Sequence, residues 1–194
     1  SLCKAGFAVI CPDCLGFESR RPLEYERVAN PFLDGAAYER HLFMDYLLRG
    51  STLQAKYIFD YSRAVDILSS LPEIDASRIG AMGHSLGGQE ALWLCWYDPR
   101  VKAAVCNCGA AIIADLQRAC INHNFAMYLP SLLSSGMDMN DVISQIAPKP
   151  FALFYSADDP IFPSSSVRKL SSIVKTSYET TGAGDAFVYR EFPG

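Results

Sequence analysis

The stretch 83–87, with sequence G-H-S-L-G, constrains the fold more than any other part of the chain. The mostly apolar run before it, residues 78–82, has the length and the turn boundaries of a buried strand. The residues after it, 89–97, are typical of a helix, and Asp98 and Pro99 end that pattern. A serine at the sharp turn between a strand and a helix is the arrangement known as a nucleophile elbow.

The chemistry of a nucleophile explains why this shape is needed. A serine hydroxyl is a weak nucleophile, so it has to project from the backbone to where a base can reach it. We expect the small residues Gly83 and Gly87 to let the strand and the helix approach closely. The pattern predicts Ser85 as a nucleophile and the N–H of Leu86, at the start of the helix, as an oxyanion donor. The alternative is an ordinary glycine-rich turn, and the flanking strand and helix patterns favour the elbow.

Other segments of the chain alternate between strand and helix patterns. Strands are predicted over residues 7–11, 101–106, 151–155 and 187–192. Helices are predicted over residues 35–49, 57–71 and 165–174, the last of them capped by Ser164. This order predicts an α/β fold: a single domain over residues 1–194 with a doubly wound, mainly parallel sheet and helices on both faces. Residues 110–147 show no clear strand and are expected to form short helices.

Composition limits the classes of partner. Half of the 194 residues are hydrophobic and the formal net charge is −4, which favours a globular domain with a sizeable core. The acidic balance gives no reason to expect nucleic acid or an anionic membrane as a partner. The longest stretch without a charged residue, 119–137, contains asparagines, a histidine and a proline, so we do not expect it to span a membrane. We expect a cytoplasmic protein, and a homo-oligomer remains possible.

The seven cysteines are odd in number and lie mostly inside apolar runs. Buried free thiols in a reducing compartment explain this better than a disulfide framework does. Cys11 and Cys14 have C-x-x-C spacing and could form a zinc site with Cys106 and Cys108, but the first pair ends a predicted strand rather than forming a zinc knuckle. The sequence therefore predicts no disulfide and no metal.

Catalytic groups in parallel α/β sheets gather at the carboxyl ends of the strands. The loop after the predicted strand 151–155 contains Asp158 and Asp159, and either carboxylate could orient a histidine. The alternative for a loop aspartate is a turn residue or a helix cap. A serine followed later by an aspartate fits the order Ser, Asp, His of one hydrolase fold, which favours a catalytic aspartate here.

The chain resembles the α/β-hydrolase superfamily, and most closely its dienelactone-hydrolase-like and acetyl-xylan-esterase-like branch. The resemblance is carried by residues 83–88 and 152–163, and by residues 6–17, 66–80, 124–130 and 146–150. It implies a cofactor-free serine hydrolase that cleaves a small-molecule carboxylic ester through an acyl-enzyme with a Ser-His-Asp triad. The family pattern places the acid immediately before the proline, which is Asp159 rather than Asp158.

The same resemblance implies parts that the 194 residues do not contain. The family's catalytic histidine follows the last strand, so we expect it beyond residue 194, and the second oxyanion donor is expected upstream of residue 1. We expect His41, His84 and His123 to be structural or solvated. The chain therefore looks trimmed at both ends, and by itself it is expected to be inactive and to self-associate through an uncovered strand 7–11.

Two questions stay open at this point. Phe125, Met127, Tyr128 and Leu132 could form an acyl-binding or lid surface within residues 110–147, and ordinary core packing explains them equally well. The same triad also serves peptidases and thioesterases, and a non-catalytic hydrolase-fold binding protein could keep the elbow without turnover.

Overall fold

The computed structural model describes residues 2–193, which form two compact units. The first unit comprises the chain up to Ala76 together with Asn124–Met127. The second comprises Ser77–His123 and the chain from Tyr128 onward. That residues 1–194 form a single domain stays a prediction.

The first unit is helical. It contains α1 (Glu24–Ala29), α2 (Gly35–Leu48) and α3 (Leu53–Ser70), with short 3-10 turns before α1, between α1 and α2, and at Phe125–Met127. Both predicted helices are confirmed, with slightly different ends. The Asp34 side chain accepts the Gly35 N–H at the start of α2, and the Thr52 hydroxyl accepts the Ala55 N–H at the start of α3. Tyr57 is fully buried on the apolar stripe of α3, as its helical spacing predicts.

The predicted buried strand over residues 7–11 is wrong. These residues form no regular element, and Phe7 is 56% and Val9 46% exposed. A strand forms when its N–H and C=O groups pair with a neighbouring strand. The sheet of the described residues contains four strands and residues 7–11 are not among them, so the apolar run has no ladder to join.

The sheet lies in the second unit. It consists of β1 (Ile79–His84), β2 (Val101–Asn107), β3 (Phe151–Ser156) and β4 (Phe187–Phe192), in that spatial order and all parallel. Four of the five predicted strands are therefore confirmed. The register pairs His84 with Asn107, Asn107 with Phe154, and Ser156 with Phe192. The carboxyl ends of all four strands consequently meet at one edge of the sheet.

Helices connect successive strands: α4 (Leu86–Tyr97) joins β1 to β2, and α7 (Ser164–Thr180) joins β3 to β4. Helix α4 is buried continuously from Gly88 to Cys95, and this buried run includes the polar side chains of Gln89 and Glu90. Helix α7 is amphipathic and buries its apolar stripe, which includes Tyr178, whose ring packs 5.4 Å from that of Phe187.

The predicted cap of this last helix is wrong. Ser164 is the first residue of α7, and Pro163 occupies the capping position with no side-chain hydrogen bond. The Pro163 carbonyl instead accepts the N–H groups of Ser166 and Val167 at 2.9 and 3.2 Å. The Ser166 N–H, which a capping side chain would otherwise accept, therefore has a backbone acceptor.

Between β2 and β3 the chain forms α5 (Ile113–Arg118), a 3-10 turn at Leu133–Ser135 and α6 (Met139–Ser144), and it contains no strand, as predicted. The Asp138 carboxylate accepts the N–H groups of Ile113, Ala114 and Met139 at 2.7, 3.0 and 2.6 Å. One carboxylate therefore caps the starts of both α5 and α6.

The seven cysteines are all free thiols, but the expectation that they are buried is wrong for several of them. Cys95 and Cys106 are buried in α4 and β2, whereas Cys3, Cys11 and Cys120 are exposed and belong to neither an α-helix nor the sheet. Within residues 2–193, no group of three or more His, Cys, Asp or Glu side chains is arranged to bind a metal ion. None of the helices described is long and apolar enough to cross a bilayer.

Candidate active site

Ser85 lies between the last residue of β1 and the first residue of α4, with φ 52° and ψ −121°. A positive φ is unfavourable for a residue with a side chain, and such conformations cost about 1–3 kcal/mol. Two backbone bonds hold it: Ser85 N–H donates to the Asn107 carbonyl at 2.8 Å, and the Ser85 carbonyl accepts the Gln89 N–H at 3.0 Å. The strand, turn and helix predicted around this serine are all observed.

The glycines explain how β1 and α4 approach so closely. A Cβ on Gly83 would lie 2.2 Å from the Gly87 carbonyl group, and one on Gly88 would lie 2.9 Å from the carbonyl oxygens of Gly83 and Asn107. The role predicted for Gly87 is wrong in this respect, because a Cβ there would meet nothing within 4 Å. Gly88 is the glycine of α4 whose missing side chain permits the contact.

The start of α4 is available to an anion. Within the described residues the Ser85 side chain makes no capping hydrogen bond, so the hydroxyl does not occupy the first N–H groups of the helix. Leu86 is the first helical residue and is half-buried. Its N–H group points along the helix axis at the positive end of the helix dipole, which is where an oxyanion would be stabilised.

Residues 107–109 form a turn that no sequence pattern indicated as part of the site, and we call it the 107–109 turn. Its Asn107 carbonyl accepts the Ser85 N–H, and its Cys108 N–H donates to the Phe154 carbonyl in β3 at 2.8 Å. A Cβ on Gly109 would lie 2.6 Å from the Ser85 carbonyl oxygen. One feature could have indicated that this turn belongs to the site. It follows a buried parallel strand that lies next to the strand leading to the elbow.

Asp159 lies in the loop after β3. Its Oδ1 accepts the N–H groups of Ile161 and Phe162 at 2.8 and 3.1 Å, and the residue is half-buried. Asp158 is exposed. The two N–H donors fix one oxygen of Asp159, and the lone pairs of the other oxygen can accept from a further donor. Asp159 is therefore a turn residue, which was the alternative to a catalytic role. Its carboxylate can still orient a histidine.

Cys108 lies next to the Asp159 carboxylate. Burial is the largest cause that raises the pKa of its thiol, and the negative charge of Asp159 raises it further. Its φ of 49° is again in the left-handed region, unusual for a residue with a side chain. The side-chain amide of Asn107 donates to Nδ1 of His84 at 3.0 Å, so polar groups of the 107–109 turn face both neighbouring strands.

A second polar cluster lies at the end of β4 and near the start of α7. Arg168 forms an ion pair with Glu191, and this pair holds the pKa of the Glu191 carboxyl below its usual value. The Tyr189 hydroxyl donates to the same carboxylate at 3.0 Å. The bonded carboxylate fixes the last strand next to the Asp159 loop, where the Ala157 N–H donates to the Phe192 carbonyl at 2.9 Å.

The histidines have ordinary environments. His84 is exposed and bonded to Asn107, and neither it nor His123 hydrogen-bonds to Ser85 or Asp159 in the described part of the second unit. His41, in the first unit, is exposed and its ring stacks on that of Tyr38 at 6.1 Å.

The candidate acyl-binding residues belong to both units. Met127 and Leu132 are buried, and the Tyr128 hydroxyl donates to the Ile121 carbonyl. In the first unit, the ring of Phe125 lies 6.1 Å from that of Phe43, and its N–H donates to the Glu39 carboxylate at 2.9 Å. These contacts are those of core packing, and an acyl-binding role stays a prediction.

Glu39 is a buried carboxyl that sequence reasoning did not find. It is 6% exposed on α2, and burial raises its pKa to about 7, partly opposed by the hydrogen bond from Phe125. A glutamate inside a weakly amphipathic helix carries no sequence signal of burial.

The sequence model of the dienelactone hydrolase family matches residues 1–182. The chain belongs to the dienelactone hydrolase family. Among curated proteins, this family member is 29% identical over 189 residues to the putative hydrolase YtaP of Bacillus subtilis (strain 168), covering 96% of this chain and 58% of the relative. It is also 38% identical over 68 residues to the thiohydrolase apmlB of Arthrinium phaeospermum, covering 35% of this chain and 22% of the relative.

Solved structures show the same fold. A glucuronoyl esterase from Solibacter usitatus superimposes with a TM-score of 0.59 at 20% identity, covering 75% of this chain and 45% of that one. The methylesterase BT1017 gives a TM-score of 0.60 at 20% identity, covering 93% of this chain and 35% of that one. The family member therefore has an α/β-hydrolase fold, as the sequence predicts, and it spans about half the length of the proteins it matches.

Proposed function

We propose that this protein is a serine hydrolase that cleaves a carboxylic ester through an acyl-enzyme. The observation that carries the proposal is the conformation of Ser85, which is held at positive φ between the end of β1 and the start of α4. A strained serine in this position presents its hydroxyl above the carboxyl edge of the sheet, where an α/β-hydrolase performs nucleophilic attack. Membership of the dienelactone hydrolase family supports the same reaction class.

In the proposed mechanism the Ser85 oxygen attacks the ester carbonyl while a histidine accepts its proton. The family pattern places that histidine after β4. Asp159 accepts the other ring N–H of the histidine, which fixes the tautomer and stabilises the imidazolium that forms. Its carboxylate is suited to this because Ile161 and Phe162 already fix one of its oxygens.

The Leu86 N–H supplies one of the oxyanion donors. Removal of one such donor typically raises the barrier by about 3 kcal/mol. The protonated histidine then releases the alcohol, and a water molecule activated by the same histidine hydrolyses the acyl-enzyme.

The test is hydrolysis of p-nitrophenyl esters of graded acyl length by the full-length protein. Ser85→Ala should abolish turnover and labelling by a fluorophosphonate, because the nucleophile is absent. Asp159→Asn should lower kcat by about 10⁴-fold, since it favours the wrong histidine tautomer, and Asp158→Asn should cost less than about tenfold. The reverse ranking of the two aspartates would reject Asp159 as the acid.

Thioesters belong in the same assay, because a partial relative is described as a thiohydrolase. A preference for thioesters would retain the triad and change the substrate class. Folded protein that turns over no ester, thioester or peptide and resists the fluorophosphonate would support a non-catalytic binding protein instead.

A further inference from the structure

Asn107 is the last residue of β2, and its backbone contacts the elbow from two sides. Its carbonyl accepts the Ser85 N–H at 2.8 Å. A Cβ on Gly88 would lie 2.9 Å from the Asn107 oxygen and 3.1 Å from its nitrogen, so the start of α4 packs against the same residue. The position of the Asn107 carbonyl therefore affects the conformation of the proposed nucleophile.

The hydrogen bond from Ser85 to this carbonyl opposes relaxation of the serine. Ser85 has a φ of 52°, and its φ would become negative if the peptide plane before it turned over. That rotation would carry the Ser85 N–H away from the Asn107 carbonyl. A strained conformation of this kind persists where surrounding contacts impose it, and this bond is one of those contacts.

A side-chain hydrogen bond joins the same two strand ends. The parallel register places His84, the last residue of β1, opposite Asn107, and the Asn107 amide donates to His84 Nδ1 at 3.0 Å. The Cys108 thiol donates to Oδ1 of the same amide at 3.7 Å, which favours the orientation in which the NH2 group faces His84. The pairing of β1 with β2 ends at these residues, and the end of a ladder opens more readily than its centre. The side-chain bond therefore holds β1 and β2 together beside Ser85.

We propose that His84 and Asn107 are positioning residues, whose side-chain hydrogen bond keeps the Asn107 carbonyl on the Ser85 N–H and so holds the nucleophile in its strained conformation. The inference rests on the proposed function, since Ser85 is the nucleophile of that triad. An NH2 group can only donate, so Nδ1 of His84 accepts and the imidazole proton is on Nε2. His84 thus acts on Ser85 through the backbone of β2 and takes no part in proton transfer.

The kinetic test uses the full-length protein and a p-nitrophenyl ester. His84→Leu and Asn107→Ala should each lower kcat about fivefold with little change in KM, as expected when one hydrogen bond that orients the reacting group is lost. The double variant should lose no more than either single variant, because both substitutions remove the same bond. His84→Gln should recover most of kcat, since its side-chain carbonyl can accept from Asn107.

Two kinetic results would overturn the positioning role. One is a double variant in which the two losses multiply, and the other is a His84→Gln variant no more active than His84→Leu. His84 is exposed, so its two variants still decide the question if Asn107→Ala does not fold.

The matched control is Gln145→Ala. Gln145 also takes part in an exposed side-chain hydrogen bond, in which its Oε1 accepts from Trp96 Nε1 at 3.2 Å. This bond joins α4 to the residue after α6, rather than β1 to β2. Gln145→Ala should leave kcat and KM unchanged. A fall in kcat equal to that of His84→Leu would attribute the effect to a general loss of stability and overturn the inference.

Amide hydrogen exchange at Ser85 separates this inference from the proposed function. The Ser85 N–H should exchange about fivefold faster in His84→Leu and in Asn107→Ala, because its acceptor is held less firmly, and at the native rate in Gln145→Ala. Unchanged exchange in the first two variants would overturn the inference even in an active enzyme. Faster exchange in a protein that hydrolyses no ester would reject the proposed function, and the positioning of a nucleophile with it.

Discussion

Residues 7–11 and residues 151–155 are two apolar runs of equal length that both begin with phenylalanine, and they have opposite surroundings. The second run forms most of β3, with parallel strands paired along both of its edges. The first run pairs with no strand among residues 2–193. Phe151 is 1% exposed, whereas Phe7 is 56% exposed.

The difference shows what an apolar run does and does not specify. Its hydrophobicity favours burial against any apolar surface, with a free energy of about 25 cal/mol for each Å² of apolar surface removed from water. Its backbone still needs hydrogen-bond partners, and only neighbouring strands supply them in register. Residues 151–155 obtain both, whereas residues 7–11 are exposed and pair with no strand within the described structure.

The largest predicted effect tests this comparison with one substitution at two positions. Phe151→Ala should lower the free energy of unfolding by about 3–5 kcal/mol, because it removes a buried ring that stacks on Phe187. Phe7→Ala should change it by less than about 0.5 kcal/mol, as surface substitutions usually do. Urea unfolding monitored by circular dichroism measures both. A large cost for Phe7→Ala would mean that residues 7–11 are covered in solution, and it would break the comparison.

The two units also differ in how they accommodate a carboxylate that is buried, as Glu39 is, or half-buried, as Asp138 is. In the first unit the buried Glu39 carboxylate accepts the Phe125 N–H, and burial influences its pKa more than this hydrogen bond does. In the second unit Asp138 receives the N–H groups of Ile113, Ala114 and Met139. Removal of the carboxylate should therefore change the free energy of unfolding in opposite directions at the two sites.

Glu39→Gln should stabilise the protein at high pH. Below the ordinary pKa of 4.5 the carboxyl is neutral in both states, and between 4.5 and about 7 the unfolded chain ionises while the native one does not. Native stability consequently falls across this range, by up to about 3 kcal/mol. We expect Glu39→Gln to gain about 1–3 kcal/mol at pH 8 and little at pH 4.5. The exposed Glu24→Gln should show no such pH-dependent gain, and an equal gain there would contradict the argument.

Asp138→Ala should destabilise the second unit by about 2 kcal/mol, because three N–H groups at the starts of α5 and α6 lose their acceptor. Thermal unfolding of this variant, with the exposed Asp185→Ala as its control, measures the effect. Hydrogen exchange should show the loss of protection at Ile113 and Ala114 first. Unchanged protection at these amides would show that another protein group accepts their N–H groups in the variant, and it would contradict the capping role of Asp138.

The elbow is the part of the site that local sequence could predict. The glycine spacing, the short apolar run and the following helix pattern all lie within about 20 residues, and they agree on one backbone geometry. Asp159 could be proposed because it follows a strand whose apolar pattern was clear. The 107–109 turn could not be found in this way, because its contacts join three strands that are distant in sequence.

The sequence by itself determined four strands, the major helices and the strand-to-helix turn at Ser85, because these depend on local periodicity and on the steric freedom of glycine. Tertiary structure decided which apolar run entered the sheet and which glycine allowed β1 and α4 to touch. It also decided that the Glu39 carboxyl is buried. Each of these outcomes depends on a neighbour brought close by the fold. Neither pairing nor desolvation is a property of a single segment, so no local pattern could specify them.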